Sequence, residues 1–149
     1  MNELVIKKLA FTDLHQILKI YEKFIPVKQN YKLSKQKYIG LLFNKNNKIL
    51  VVKKKETIIG TLTGVICKSL AFGGYDFMVL DYLYVDEEYR HQGIATKLIK
   101  EKERIATINN CGYIFFVSSK KNTNAHRLYK ELGYTENVIG FRKVLISNE

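Results

Sequence analysis

The chain has 149 residues, 46% of them hydrophobic, with one proline and nine glycines; this suits one domain with its own core, needing no disulfide or metal staple and leaving little room for a disordered linker. No apolar run is long enough to span a bilayer, and Met1-Asn2-Glu3-Leu4 lacks the basic start and apolar stretch of a signal peptide, so a cytoplasmic protein without a membrane partner is expected. The formal net charge of +11 favours phosphate groups, nucleic acid or an acidic substrate, but the lysines are scattered over every segment, and the absence of an RNP-like aromatic pattern or zinc-finger spacing disfavours nucleic acid.

In chain order, Leu4 to Leu9 reads as a strand. Thr12 or Asp13, with Gln16 three residues after the aspartate, predicts a capped helix start. Leu14, Ile17, Leu18, Tyr21 and Ile25 follow at helical spacing until Pro26. Ser34 is the expected cap of a second helix carrying Tyr38, Leu41 and Leu42. Ile49 to Lys53 and Thr57 to Val65 read as strands joined by a tight turn, with Gly60 and Gly64 expected to mark a bend. A turn at Phe72-Gly73-Gly74-Tyr75 leads into a long strand, Phe77 to Val85.

A loop from Asp86 to Gly93 then enters a helix over Ile94 to Ile108, which Asn109-Asn110-Cys111-Gly112 closes, with Gly112 expected in the left-handed conformation. Tyr113 to Val117 is continuously apolar and predicts a buried central strand. A polar loop over 118–122 precedes a helix from Asn124 to Leu132 that stops at Gly133, and Val138 to Ile146 reads as a last strand. The alternation of elements predicts an α/β domain spanning 1–149. Cys67 and Cys111 read as reduced and inert; no CxxC occurs, and His15, His91 and His126 lack ligand-like spacing, so no metal site is expected.

Chemistry concentrates between Val85 and Thr96. A strand ends, a loop containing glycine follows, and a helix begins at once. The first turn of such a helix has unpaired backbone N–H groups and the positive end of the helix dipole, a combination suited to phosphate. Gly93 and Ala95 are small enough to let a diphosphate approach the backbone, and Arg90 adds charge. Neither GxGxxG nor GxxxxGK[ST] is present.

Arg90-His91-Gln92-Gly93-Ile94-Ala95 resembles the GNAT acetyltransferase signature [Q/R]-x-x-G-x-[G/A], with every specified position filled. Asn122-Thr123-Asn124-Ala125-His126-Arg127-Leu128-Tyr129-Lys130-Glu131-Leu132-Gly133-Tyr134 is similar to that family's N-x-x-A-x-x-x-Y-x-x-x-G-[F/Y] segment, in the right order and separated from the first by one helix and one strand. The likeness is sharp from Asp81 to Tyr134 and vague before it.

The resemblance implies a GNAT fold: a mixed central sheet of six to seven strands flanked by about four helices, with central parallel strands splayed around acetyl-CoA. It implies transfer of an acetyl group to an amine acceptor, and it assigns the diphosphate of acetyl-CoA to Arg90 and the backbone of His91, Gln92, Gly93, Ile94, Ala95 and Thr96. A bulge expected at Leu83, Tyr84 and Val85 would present N–H groups to the pantetheine and acetyl carbonyl. Asn122 would touch the cofactor and Tyr129 would protonate the departing thiolate, since a phenol remains protonated at neutral pH.

Asp81 matches the position of a base used by some members, directly or through water; simple strand alternation groups it with Val79, Leu83 and Val85, opposite Tyr82 and Tyr84, and a carboxylate buried in an apolar strand is costly without a partner. A homodimer is a further expectation, since dimers are frequent in the family. A GNAT module that holds acyl-CoA without turnover is the alternative activity. The acceptor is not specified; its site is expected around 26–38 and 135–142.

Overall fold

The computed structural model describes residues 4–146. Residue packing divides the chain at Phe115/Phe116 into two compact units, each described by itself.

The first unit holds a five-stranded sheet in the order β1-β2-β3-β4-β5. Its strands are β1 (Val5–Lys8), β2 (Asn47–Lys54), β3 (Thr57–Cys67), β4 (Asp76–Val85) and β5 (Cys111–Phe115). The first four run antiparallel to their neighbours, whereas β5 is parallel to β4. The β4–β5 pairing ends at Val79–Phe115, so β4 runs on from Leu80 to Val85 beyond its last rung to β5.

Three helices belong to this unit: α1 (Leu14–Glu22), α2 (Tyr31–Phe43) and α3 (Ile94–Ile108). Leu14, Ile17, Leu18 and Ile20 of α1 form a core cluster with Leu9, Tyr38, Val51 and Ile58, on the order of 1.5–3 kcal/mol for each large side chain removed from water. The opposite sheet face receives α3. A Cβ on Gly60 would stand 3.1 Å from Ile94 and 3.5 Å from Leu98, and one on Gly64 would stand 2.9 Å from Lys102. These two glycines therefore admit a helix to the sheet rather than bend the strand.

The second unit holds α4 (Thr123–Glu131), followed by Gly133 at φ 89°. Phe116 packs edge-on against both Tyr129 and Tyr134.

Several sequence expectations change. The described residues form five strands, not six to seven: 138–146 adopts no strand, with Ile139, Phe141 and Leu145 largely exposed. Strand β5 ends at Phe115 and lies at the edge of the described sheet with Tyr113 and Phe115 exposed, so its apolar run does not reflect a buried central position. Asp13 does not cap α1: it accepts the Ala10 N–H at 3.1 Å and pairs with Lys53, while Gln16 bonds the β2–β3 turn through Ile58 and Glu56. Helix α2 starts three residues before Ser34, because Asn30 accepts the Leu33 N–H at 3.0 Å. Asn110 takes the left-handed turn after α3, while Gly112 sits in β5 where a Cβ would collide with Phe72.

Candidate active site

The strand that carries the candidate residues is bulged. Thr61 pairs with Tyr84 and Thr63 with Asp81, so two steps along β3 span three along β4. The extra residue falls at Tyr82–Leu83, and Tyr82 adopts φ 57°, a costly conformation for a bulky side chain. The Asp81 carboxylate accepts the Tyr82 N–H at 2.8 Å and so fastens the bulge. A bulge beside Leu83, Tyr84 and Val85 is what the sequence reading expects, but it cancels the simple alternation. Asp81 and Tyr84 lie on one face, as cross-strand neighbours of Thr63 and Thr61. Asp81 is also exposed, so the cost of burial is no reason to single it out.

That face lies beneath α1. The Tyr21 ring is 5.6 Å from Tyr82 and 6.0 Å from Phe24, and Phe24 stacks on Tyr84 at 5.3 Å. Burial pushes the Tyr21 phenol above its usual pKa, opposed by the nearby Thr63 and Thr61 hydroxyls and aided by the charge of Asp81. Lys23 lies 3.4 Å from the Tyr84 hydroxyl and 3.5 Å from Asp86. Its pKa is raised first by the Tyr84 contact and further by Asp86.

Beyond Val85 the chain makes a 3₁₀ turn over Glu87–Tyr89 and then enters α3. The Asp86 N–H donates to Ile59 at 2.8 Å, which ties the turn to β3. Arg90 Nε donates to the Val85 carbonyl at 3.0 Å and Gln92 Nε2 to the Glu88 carbonyl at 3.2 Å, so both side chains brace the loop. His91 and Gly93 take left-handed angles of 60° and 77°.

Gly93 is the N-cap of α3; no side chain caps that end, and its first turn carries no acidic residue. A Cβ on Gly93 would meet nothing within 4 Å, so the dihedral, not crowding by the protein, selects glycine. Ile94 is buried and anchors the turn, while Ala95 and Thr96 are half-buried. An uncapped, acid-free helix start with open space at its glycine fits a diphosphate.

In the second unit, Asn122 is the N-cap of α4, exposed, with a side chain that makes no capping bond. Tyr129 is half-buried and burial raises its pKa, so its hydroxyl stays protonated at neutral pH. Thus Asp81, Leu83–Val85 and Arg90–Thr96 are brought together on one bulged strand, its turn and the following helix, while Asn122 stands at the N-cap of α4 and Tyr129 lies within it. Among the described residues, no group of three or more His, Cys, Asp or Glu is placed to hold a metal ion, and no helix is long and apolar enough to cross a membrane.

Residues 12–134 match the model of the acetyltransferase (GNAT) family. The chain belongs to this family. It is accordingly an acyltransferase. No curated protein sequence matches significantly. Among solved structures, the GNAT chain resembles a transcriptional regulator from Bacillus halodurans C-125 with a TM-score of 0.87 and 21% identity, covering 96% of this chain and 100% of that one. Glucosamine-6-phosphate N-acetyltransferase from Arabidopsis thaliana gives a TM-score of 0.86 at 14% identity, with 97% and 99% covered. The aminoglycoside N-acetyltransferase AAC(6')-Iy, solved in complex with CoA, gives 0.78 at 21% identity, with 95% of each chain covered. At these identities the likeness establishes the fold.

Residues that sequence reasoning passed over are Tyr21, Thr63 and Lys102. Helical spacing in the sequence places Tyr21 in the apolar stripe of α1. The alternating Thr61-Leu62-Thr63 pattern was the available signal of a polar stripe on one face of β3.

Proposed function

We propose that the chain transfers the acetyl group of acetyl-CoA directly to a primary amine, acting as one catalytic domain over 1–149 in the cytoplasm. The observation that carries this reading is the uncapped start of α3 at Gly93, which follows the bulged strand β4 after one 3₁₀ turn. Backbone N–H groups from His91 to Thr96, with the charge of Arg90, hold the diphosphate. The N–H groups of the bulged segment Leu83, Tyr84 and Val85 orient the pantetheine and polarise the thioester carbonyl. Asn122 contacts the cosubstrate.

In the transfer the amine nitrogen bonds to the acetyl carbon and the carbon–sulfur bond breaks. The amine proton passes to Asp81, directly or through water, and the thiolate takes the proton of Tyr129. Family membership, the motif match and the burial that keeps the Tyr129 phenol protonated support the acid role.

Calorimetry with acetyl-CoA, followed by a thiol-release assay over a panel of primary amines, tests the proposal. Saturable binding and amine-dependent release are expected. No heat at millimolar acetyl-CoA defeats it, and binding without release with any amine leaves a module that only holds acyl-CoA. With chemistry limiting, Tyr129→Phe should lower kcat by about 100-fold while acetyl-CoA affinity stays unchanged; an unaltered rate removes the acid assignment.

A further inference from the structure

Helix α2 is apolar on two sides, and only one of them packs inward. Tyr38 is buried in the cluster beneath α1, and its hydroxyl donates to the Leu9 carbonyl at 3.1 Å. Ser34 and Leu41, four residues before it and three after, share that side and are half-buried. The outward stripe carries Lys32 and Lys35, then Ile39, Leu42 and Phe43, again at steps of three and four. Ile39, Leu42 and Phe43 are 48%, 62% and 83% exposed. Phe11 widens the stripe: its exposed ring lies 5.7 Å from the Lys35 ammonium. Grouped apolar side chains left in water mark a contact surface rather than a core.

The surrounding charge is of one sign. From Lys23 to Lys55 the sequence has ten lysines, no arginine and no acidic residue. Lys23 and Lys53 are engaged by Asp86 and Asp13. Among the described residues, no ion pair involves Lys28, Lys32, Lys35 or Lys45. Lys32 stands in the first turn of α2, which has no acidic residue and where the helix dipole repels a cation. The fold therefore gains nothing from that placement.

We propose that the outward stripe of α2 docks on an anionic membrane, with Ile39, Leu42 and Phe43 entering the acyl boundary and Lys32 and Lys35 among acidic phospholipid headgroups. Aromatic and aliphatic side chains beside lysines suit the surface plane of a bilayer. Lysine stems lie along lipid while their ammonium groups stay wet. Protein interfaces instead favour arginine over lysine, and this span has none. A stripe of three apolar residues is also small for a stable protein interface. The expectation of no membrane partner rests on the lack of a spanning segment, which peripheral contact does not need. This surface is independent of the acetyltransferase reading and stands or falls without it.

The test is co-sedimentation of the full chain with vesicles of phosphatidylcholine alone or mixed equally with phosphatidylglycerol. Binding is expected to the mixed vesicles only, and to weaken with added salt. Lys32→Gln with Lys35→Gln should weaken it on the order of tenfold, and Leu42→Ser with Phe43→Ser by a similar factor. All four side chains are exposed, so urea midpoints should stay near that of the wild type. Lys120→Gln with Lys121→Gln removes the same charge from an exposed loop and should change binding less than about twofold.

The chain contains no tryptophan, so Phe43→Trp gives a fluorophore at this one position. Its emission should shift to the blue on mixed vesicles, while that of Tyr75→Trp, on the exposed turn before β4, should not. Equal binding to phosphatidylcholine alone, an equal loss in the Lys120 and Lys121 variant, or an unshifted Phe43→Trp emission overturns the proposal. Binding to polyglutamate without binding to mixed vesicles also overturns it and assigns the stripe to an acidic protein.

Discussion

Strand β3 presents two unlike surfaces. Towards α3 it shows Gly60, Leu62, Gly64 and Ile66; towards α1 it shows Thr61 and Thr63. The first surface is shaped for contact: its glycines bring a helix to the sheet, and that helix begins at the candidate diphosphate site. The second is shaped for polarity, with hydroxyls, a phenol and a carboxylate grouped at the bulge. One strand thus sets the position of the helix on one side and groups polar side chains beside the bulge on the other. Substitutions that are alike on paper should therefore differ sharply with the face they enter.

The largest effect is expected at Gly60. A valine there would press on Ile94 and on the Tyr84 carbonyl, 3.1 and 3.3 Å from the first added carbon. Neither neighbour is a flexible chain end, so α3 or β4 must shift. Gly60→Val should cost about 3 kcal/mol or more in a urea unfolding experiment, with acetyl-CoA affinity falling in parallel because the start of α3 moves. A cost under about 1 kcal/mol would mean that the glycine surface is not tightly apposed.

Next comes Lys102, whose side chain is fully buried over Gly64 and donates to the Lys48 carbonyl. Its pKa is lowered to about 7, first by burial and then by the neighbouring Lys48 charge. The unfolded lysine keeps its proton up to a pH near its ordinary value of about 10.4. Between pH 7 and that value the unfolded chain binds more protons than the folded one, so stability rises with pH; below pH 7 this group adds no slope. From pH 7 to 9 the rise is at most about 3 kcal/mol, two pH units at 1.36 kcal/mol each. Lys102→Met should abolish that rise and be more stable than the wild type at pH 6. Superimposable urea midpoint–pH curves for the two proteins would show that Lys102 is charged and solvated in the fold.

How much of this was legible beforehand follows from whether the cause was local. The boundaries of α3, Ile94 to Ile108, coincide with the sequence reading because a glycine start and a periodic apolar face are local signals. The bulge was expected only by resemblance; its effect, setting Asp81 beside Tyr84 on one face, depends on β3 pairing that no local pattern encodes. Gly60 and Gly64 suggest a bend in the sequence alone because the helix they accommodate lies more than thirty residues downstream. Lys102 looked like one charge among many in a basic chain, and only the packing shows it buried. The apolar run Val138–Ile146 followed strand composition, yet it pairs with nothing among the described residues. Apolar periodicity indicates a wish for burial and does not supply a partner.

Gly93 sharpens the comparison because its constraint is of a third kind. Gly93→Ala meets no protein atom, so its cost is that of holding alanine at φ 77°, about 1–2 kcal/mol. The added methyl should matter more for acetyl-CoA, whose diphosphate would approach through that open space. Calorimetry paired with urea unfolding should show affinity falling further than stability. A loss of stability with no loss of affinity would move the diphosphate site elsewhere.

The smallest effect is expected one residue from the largest. Thr61 is buried, and its hydroxyl donates to the Leu50 carbonyl at 2.9 Å. Valine matches threonine in shape and suits a strand, so Thr61→Val forfeits that bond and the polar contact with Tyr21 while creating no clash. The expected cost is about 1 kcal/mol or less. Valine at 60 and valine at 61 enter opposite faces of one strand, the first adding a side chain where there was none and the second exchanging a hydroxyl for a methyl. If unfolding shows the two costs to be equal, the faces of β3 do not differ in tightness, and α3 is positioned by its own contacts rather than by the glycines beneath it. If position 61 costs several times less, as packing predicts, the close approach of α3 is what fixes the helix start relative to the bulge.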